Sequence, residues 1–230
     1  MTLAVILPAA GSSTRFGGTT NKLLEELAGR PVLLRTFDAF ARRDDVATIV
    51  IPTRLGADGW IDAPQAVREG LRHPKTILCP GGASRAQSVL SALRKVPESI
   101  EWVAVHDAAR PLVSQELIER TFAAATEHGA AVPALPVNLT IKEATGPLPA
   151  KVERTVPRHR LWAMQTPQVM RRSELLEAFE KCPLPLDLVT DDVQVLELAG
   201  KDVWLVAGEE RNLKITTRAD LHIAELMLTT

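Results

Sequence analysis

An α/β fold, with a mainly parallel sheet, helices on both faces and a protruding β-arm, follows from three features of this sequence. Short apolar runs alternate with amphipathic segments along most of the chain, the order expected when helices serve as crossovers between parallel strands. Those apolar runs are continuous, as strands covered on both faces require. Residues 137–157 break the rhythm and alternate apolar with polar positions around Gly146-Pro147-Leu148-Pro149, the pattern of a hairpin leaving the body of the protein.

The elements follow in order. Leu3 to Leu7 reads as a buried strand ended by Pro8. Pro31 opens an amphipathic helix through Phe37 and Phe40, placed near the first turn where its missing N–H does least harm. Val46 to Ile51 is a second strand, closed by Pro52, and a short helix over 65–72 leads to a third strand at Thr76 to Cys79. Ser84 caps a helix carrying Ala86, Val89, Leu90 and Leu93 on one face. Trp102 to Val105 is a fourth strand. Ser114 caps the next helix and Gly129 ends it, before a strand over Ala130 to Leu135. Short helices over 174–180 and 191–198, a strand over 203–207 and a terminal helix opened by the capping box Thr217-Arg218-Ala219-Asp220 complete the chain.

The chain of 230 residues carries a net charge of −1, which speaks against a basic nucleic-acid face or a membrane-surface role. It has no Tyr to stack on bases, and no run nears the ~20 apolar residues of a membrane span. No basic residue precedes the first apolar run, so no signal peptide is expected. Cys79 and Cys182 stand far apart without metal-ligand spacing, which suits a reducing, cytoplasmic setting. The expectation is a single domain over 1–230 that includes the 137–157 arm. That arm either packs on a second subunit, making a homodimer, or folds as a lid or hairpin on its own domain.

The loop after the first strand, Pro8-Ala9-Ala10-Gly11-Ser12-Ser13-Thr14-Arg15, offers small residues, backbone N–H groups and hydroxyls, with Arg15 and Lys22 adding positive charge. Such a loop at a strand's carboxyl end is suited to a nucleoside triphosphate. The other reading is a solvated surface loop. Gly17 stands where a Walker A motif has its Lys, and GxGxxG is absent. His106-Asp107-Ala108-Ala109-Arg110-Pro111 ends the fourth strand at the same sheet edge. Asp107 beside Arg110 suits a phosphorylated polyol, or else the pair only fixes the turn, and His106 reads as structural. Lys214 and Arg158 add cations, while Thr166 and Thr190 are ligands or helix caps. No Ser/His/Asp set is spaced for a covalent mechanism. Charge and positioning without a protein nucleophile point to transfer at phosphorus.

Taken together, PAAGSSTRF, Lys22, GGASRAQSVLSAL, VHDAARP, PVNLTIK, TVPRHRLWAMQTPQ, TDD and NLKIT resemble the 2-C-methyl-D-erythritol 4-phosphate cytidylyltransferases of the non-mevalonate isoprenoid pathway. The resemblance implies a Rossmann-like nucleotidyltransferase sheet and the reaction of CTP with methylerythritol phosphate, with Mg²⁺ held mainly by the CTP phosphates and no protein metal site. It implies that Arg15 and Lys22 stabilise the five-coordinate α-phosphorus. Lys214 and Arg158 hold the attacking phosphate, Arg158 coming from the neighbouring subunit. Asp107, Arg110, Thr166, Thr190 and, across the dimer, Thr140 contact the polyol. Pro8, Ala9, Ala10, Gly11, Gly82 and Ser88 surround the nucleoside. Asn21 and Ala83 depart from the family pattern, which often has Pro and an acidic residue at these places. A ribitol 5-phosphate cytidylyltransferase of the same fold and a non-enzymatic nucleotide-sensing module are the alternative readings.

Overall fold

The structure is a computed structural model, and it describes residues 2–11, 16, 21–54 and 63–229. Strand β1, Leu3–Ile6, is the axis of the sheet. Its side chains divide between two cores: Leu3 and Val5 face one side, Ala4 and Ile6 the other, and all four are wholly buried. That two-faced burial is why the run is apolar without alternation.

The chain first builds outward on one side of β1. After the small hairpin of β2, Glu26–Leu27, and β3, Arg30–Pro31, helix α1, Val32–Ala41, crosses to β4, Val46–Thr53, which pairs in parallel with β1. The hairpin turn carries Ala28 at φ 47° and Gly29 at φ 74°. Two residues of positive φ twist a hairpin the way its strands require, but Ala in that place gives no turn signal. Helix α2, Gln65–Gly70, leads to β5, Thr76–Pro80, on the far edge of β4. Contrary to the expectation that Pro52 closes the second strand, β4 runs on to Thr53. Pro52 lacks only a donor. Its carbonyl still accepts from Ala9 N–H at 3.1 Å, and the Thr53 carbonyl from Gly81 N–H at 2.7 Å.

The direction then reverses. Helix α3, Arg85–Leu93, returns the chain to β6, Trp102–Val105, which pairs in parallel with the opposite edge of β1. Strand order therefore switches between β1 and β6, and the crevice beyond their carboxyl ends is where such sheets take ligands. Helix α4, Gln115–His128, ends at Gly129 with φ 94° and feeds β7, Ala130–Pro136.

After β7 come the arm strands β8, Ile141–Ala144, and β9, Val152–Val156, an antiparallel pair in a sheet of their own. The chain returns as β10, Trp162–Met164, and β11, Gln168–Arg171. Neither was expected. Strand β11 lies between β6 and β7 and is antiparallel to both, and β10 is antiparallel to β7 as well, so the mainly parallel sheet contains two reversed strands. Helices α5, Arg172–Glu180, and α6, Asp192–Leu198, follow, then β12, Trp204–Ala207, parallel to β7, and α7, Arg218–Thr229. Among the described residues the main sheet has eight strands. Helices α1, α4 and α7 pack on one face, and α3, α5 and α6 on the other.

Ser84 shows how local chemistry joins distant elements. Its hydroxyl accepts from Gln87 N–H while the Gln87 side chain accepts from the Ser84 N–H, a reciprocal cap at the start of α3. The same hydroxyl donates to the Leu186 carbonyl at 2.9 Å. Replacing Ser84 with Ala should therefore lower stability by about 0.5–2 kcal/mol, the range for losing an N-cap. Urea unfolding should show a lower midpoint at an unchanged slope.

Candidate active site

Five loops meet at the carboxyl edge of the sheet. Residues 8–11 follow β1, 80–84 link β5 to α3, 106–111 follow β6, 165–167 join β10 to β11, and 212–216 precede α7. All but 165–167 contribute lining to a cavity of about 500 Å³ that Lys22, Arg54, Arg85 and Lys214 make basic, with Asp107 the one carboxylate among its described lining residues.

The glycines of the second loop are there for space. A Cβ on Gly81 would stand 2.5 Å from the Ala10 Cβ, and one on Gly82 would stand 2.3 Å from the Gln87 Cβ. A side chain on Gly81 would therefore push this loop away from the first, and one on Gly82 would push it off the start of α3. Ser88 supports the arrangement by accepting from Gly82 N–H at 3.0 Å and donating to the Ser84 carbonyl at 2.9 Å.

Asp107 is the electrostatic centre. Lys214 Nζ lies 3.0 Å and Arg110 Nε 3.2 Å from its Oδ2, and Arg85 Nε lies 3.5 Å from its Oδ1. Burial by itself would raise this carboxyl, but Arg85, Lys214 and Arg110 outweigh it and hold the group far below the usual carboxylate range. Arg110 also donates to the Asn212 carbonyl at 2.7 Å, and Ile215 N–H to the Ala109 carbonyl at 2.8 Å. The loop bearing Lys214 is thereby fastened to the one bearing Asp107.

Arg85 was not singled out in the sequence. It stands one residue after the Ser84 cap, in the first turn of α3, where a cation opposes the helix dipole. That misplacement was the available signal. Its partner is Asp192, wholly buried in the first turn of α6 with Oδ2 2.8 Å from Arg85 Nη1. Burial drives the Asp192 carboxyl upward and Arg85 opposes it; against its own desolvation, Arg85 is held protonated by Asp192 and Asp107. One guanidinium thus ties the TDD segment to the floor of the cavity.

The cavity brings together Pro8, Ala10, Gly11, Lys22, Gly82, Ser88, Asp107 and Lys214 from the sequence candidates. Ala9 is buried beneath it, and Arg110 stands behind Asp107. Thr166, only 3% exposed, accepts from Asp107 N–H at 3.0 Å. Thr190 is exposed and donates to Gln194 Oε1 at 3.1 Å; the cap of α6 is Asp191, whose side chain accepts from Gln194 N–H. Thr140 and Arg158 belong to the arm region, outside the lining, and Arg158 donates to the Asn138 carbonyl. Arg15 lies outside the described residues. Among the described residues no cluster of three His, Cys, Asp or Glu side chains could hold a metal, and no helix is long and apolar enough to cross a membrane.

His106 is wholly buried beneath this site, and burial pushes its imidazole down from 6.5 to about 4. The unfolded chain therefore takes up this proton first. Stability is fully present above the ordinary histidine range and falls as the pH drops towards 4, by ~1.4 kcal/mol per unit within that window. Between pH 7 and 4.5 the midpoint of urea unfolding should fall, and His106→Asn, which cannot titrate, should flatten that slope.

Comparison with known proteins agrees with this geometry. Residues 3–230 match the family model described as IspD, 2-C-methyl-D-erythritol 4-phosphate cytidylyltransferase. The chain is 42% identical over 228 residues to the enzyme of that name from Gloeobacter violaceus, covering 98% of this chain and 96% of that one. It is 39% identical to the bifunctional enzyme IspD/IspF of Desulfotalea psychrophila, spanning 56% of that longer protein. The crystal structure of the Francisella tularensis cytidylyltransferase superposes with a TM-score of 0.84 at 30% identity, over 98% of this chain and 99% of that one. That of Thermus thermophilus gives 0.79 at 33% identity, over the whole of both chains. A mainly parallel sheet with its strand-order switch at a basic cavity, and full-length similarity on top of it, place this chain in the 2-C-methyl-D-erythritol 4-phosphate cytidylyltransferase family.

Proposed function

We propose that this chain transfers a cytidylyl group from CTP to 2-C-methyl-D-erythritol 4-phosphate, giving 4-diphosphocytidyl-2-C-methyl-D-erythritol and pyrophosphate. The observation that carries the reading is Lys22 and Lys214 lining one cavity in which the carboxylate, Asp107, is already saturated with cations. Such a cavity is an anion trap, and two anions must meet there.

An oxygen of the 4-phosphate attacks the α-phosphorus of CTP in line. The new P–O bond forms as the bond from that phosphorus to the bridging oxygen breaks, and pyrophosphate leaves. A phosphate monoester is already an anion at neutral pH, so no base need take a proton. The barrier is charge repulsion, which fixed cations lower. Lys22, with Arg15, stabilises the five-coordinate phosphorus. Lys214 turns from Asp107 to the 4-phosphate, joined by the partner subunit's Arg158. Asp107, Arg110, Thr166, Thr190 and the partner subunit's Thr140 face the polyol. The main chain of Pro8, Ala9, Ala10, Gly11 and Gly82, with Ser88, takes the nucleoside.

Mg²⁺ enters with CTP as part of the substrate, because Asp107, the one carboxylate among the described lining residues, is committed to three cations. Bound to the triphosphate it neutralises charge on the leaving pyrophosphate. A cytoplasmic setting accords with two cysteines that are both unbridged.

The arm supports a homodimer. It is a two-stranded sheet apart from the main one, with Leu139 and Leu148 exposed at 77% and 88%, and such a hairpin alone in water is marginal. A second copy covering it would also bring Arg158 and Thr140 to a cavity.

Pyrophosphate release with CTP and Mg²⁺ should be faster with methylerythritol phosphate than with ribitol 5-phosphate, and the opposite preference would overturn the assignment. Lys22→Ala should lower kcat by at least ~10²-fold, the usual loss on removing a preorganised charge donor. Deleting residues 138–157 should convert the dimer to monomer in sedimentation velocity; an unchanged dimer would remove the arm as the contact.

A further inference from the structure

The side chain of His106 contacts two groups whose chemistry fixes the position of every hydrogen. Its Nε2 lies 3.1 Å from the Arg110 backbone carbonyl oxygen, which only accepts, so Nε2 carries the hydrogen. The ring is wholly buried, with Phe40 tilted against it at 4.9 Å, and burial keeps it neutral, which leaves Nδ1 a bare acceptor. Facing Nδ1 at 3.1 Å is Thr166 Oγ1, which must therefore donate to it. The same oxygen already accepts from Asp107 N–H at 3.0 Å. The hydroxyl hydrogen of Thr166 is spent, and a lone pair is what remains.

The groups around the ring hold this pattern in place. Asp107 and Arg110, the charged residues next to it in the chain, are paired with each other, and the opposing loop supplies Asn212, whose Nδ2 donates to the Thr166 carbonyl at 2.8 Å. Asn212 in turn precedes Lys214 in the loop that Arg110 fastens.

We infer that His106 is a positioning residue that fixes the polarity of the polyol site: by taking the Thr166 hydrogen it leaves Thr166 and the Asp107 carboxylate both as acceptors, so the acceptor substrate must present hydroxyl hydrogens at this corner. This deepens the proposed cytidylyl transfer and rests on it. It gives the enzyme a preference for a free polyol over alkylated or oxidised analogues there, since two acceptors reject a third.

Three variants separate the two bonds. His106→Asn keeps an acceptor near the Nδ1 position, His106→Gln keeps a donor near the Nε2 position, and His106→Phe removes both. KM for methylerythritol phosphate should rise about tenfold in His106→Phe and His106→Gln, the effect of one lost hydrogen bond, and clearly less in His106→Asn. KM for CTP should stay within about twofold in all three. An unchanged polyol KM in His106→Phe, or equal rises for both substrates, would overturn the inference. A second readout does not depend on turnover or on the variants' stability. In ¹⁵N spectra of the wild-type protein, His106 should show a protonated Nε2 and a bare Nδ1 at pH 7, and the opposite tautomer would overturn the polarity. If wild-type protein fails to use methylerythritol phosphate while His106 shows the expected tautomer, the proposed substrate is what fails and the hydrogen-bond polarity stands.

Discussion

A single buried carboxylate organises the working edge of this protein. Asp107 sits at the end of β6, and the cations that surround it come from different parts of the chain: Arg85 from the start of α3, Arg110 from its own turn and Lys214 from the loop before α7. Burying an anion is unfavourable unless it is paired, and burying several cations side by side is no better. Together they are compatible, and the loops must converge for that to hold. The cavity is thus a by-product of satisfying charges that cannot be satisfied separately.

The sheet supplies what those charges cannot. With β1 buried on both faces and the strand order switching beside it, the loops of β1 and β6 are held one strand spacing apart by a core that does not depend on the ligand. Lys214 is the least anchored of these groups. It is the most exposed of the three cations around Asp107, whereas Arg110 is largely covered and bonded to backbone and Arg85 is anchored on Asp192. The anchored pairs hold the loop geometry around the more exposed ammonium.

The reversed strand β11 links this edge to the second half of the chain. It lies between β6 and β7, and the segment leading into it carries Gln165 and Thr166 beneath the site. Gln165 accepts from Glu209 N–H and donates to the Glu209 carbonyl, so the loop before α7 is registered on this segment as well as on Arg110. Asn212, whose Nδ2 donates to the Thr166 carbonyl at 2.8 Å, adds a third tie between the two segments, while the arm forms a separate sheet.

What could be read without coordinates was whatever depends on neighbours a few residues away. The apolar run of β1, the caps at Ser84 and Ser114, Gly129 at a helix end and the Thr217–Asp220 box are local arrangements, and each stands where the spacing put it. The ordered motifs also marked the cavity residues, because loops at strand ends occupy one edge of a parallel sheet. Other features rest on partners far along the chain. Strand β11 is four residues that become a strand only because β6 and β7 leave a gap for them, and Pro52 stays within a strand because Ala9 needs its carbonyl. Arg85 gains its importance from Asp192, and His106 meets Thr166, 60 residues on. Hydrogen-bond direction and charge pairing depend on which groups meet at about 3 Å, and only folding brings those groups within that distance.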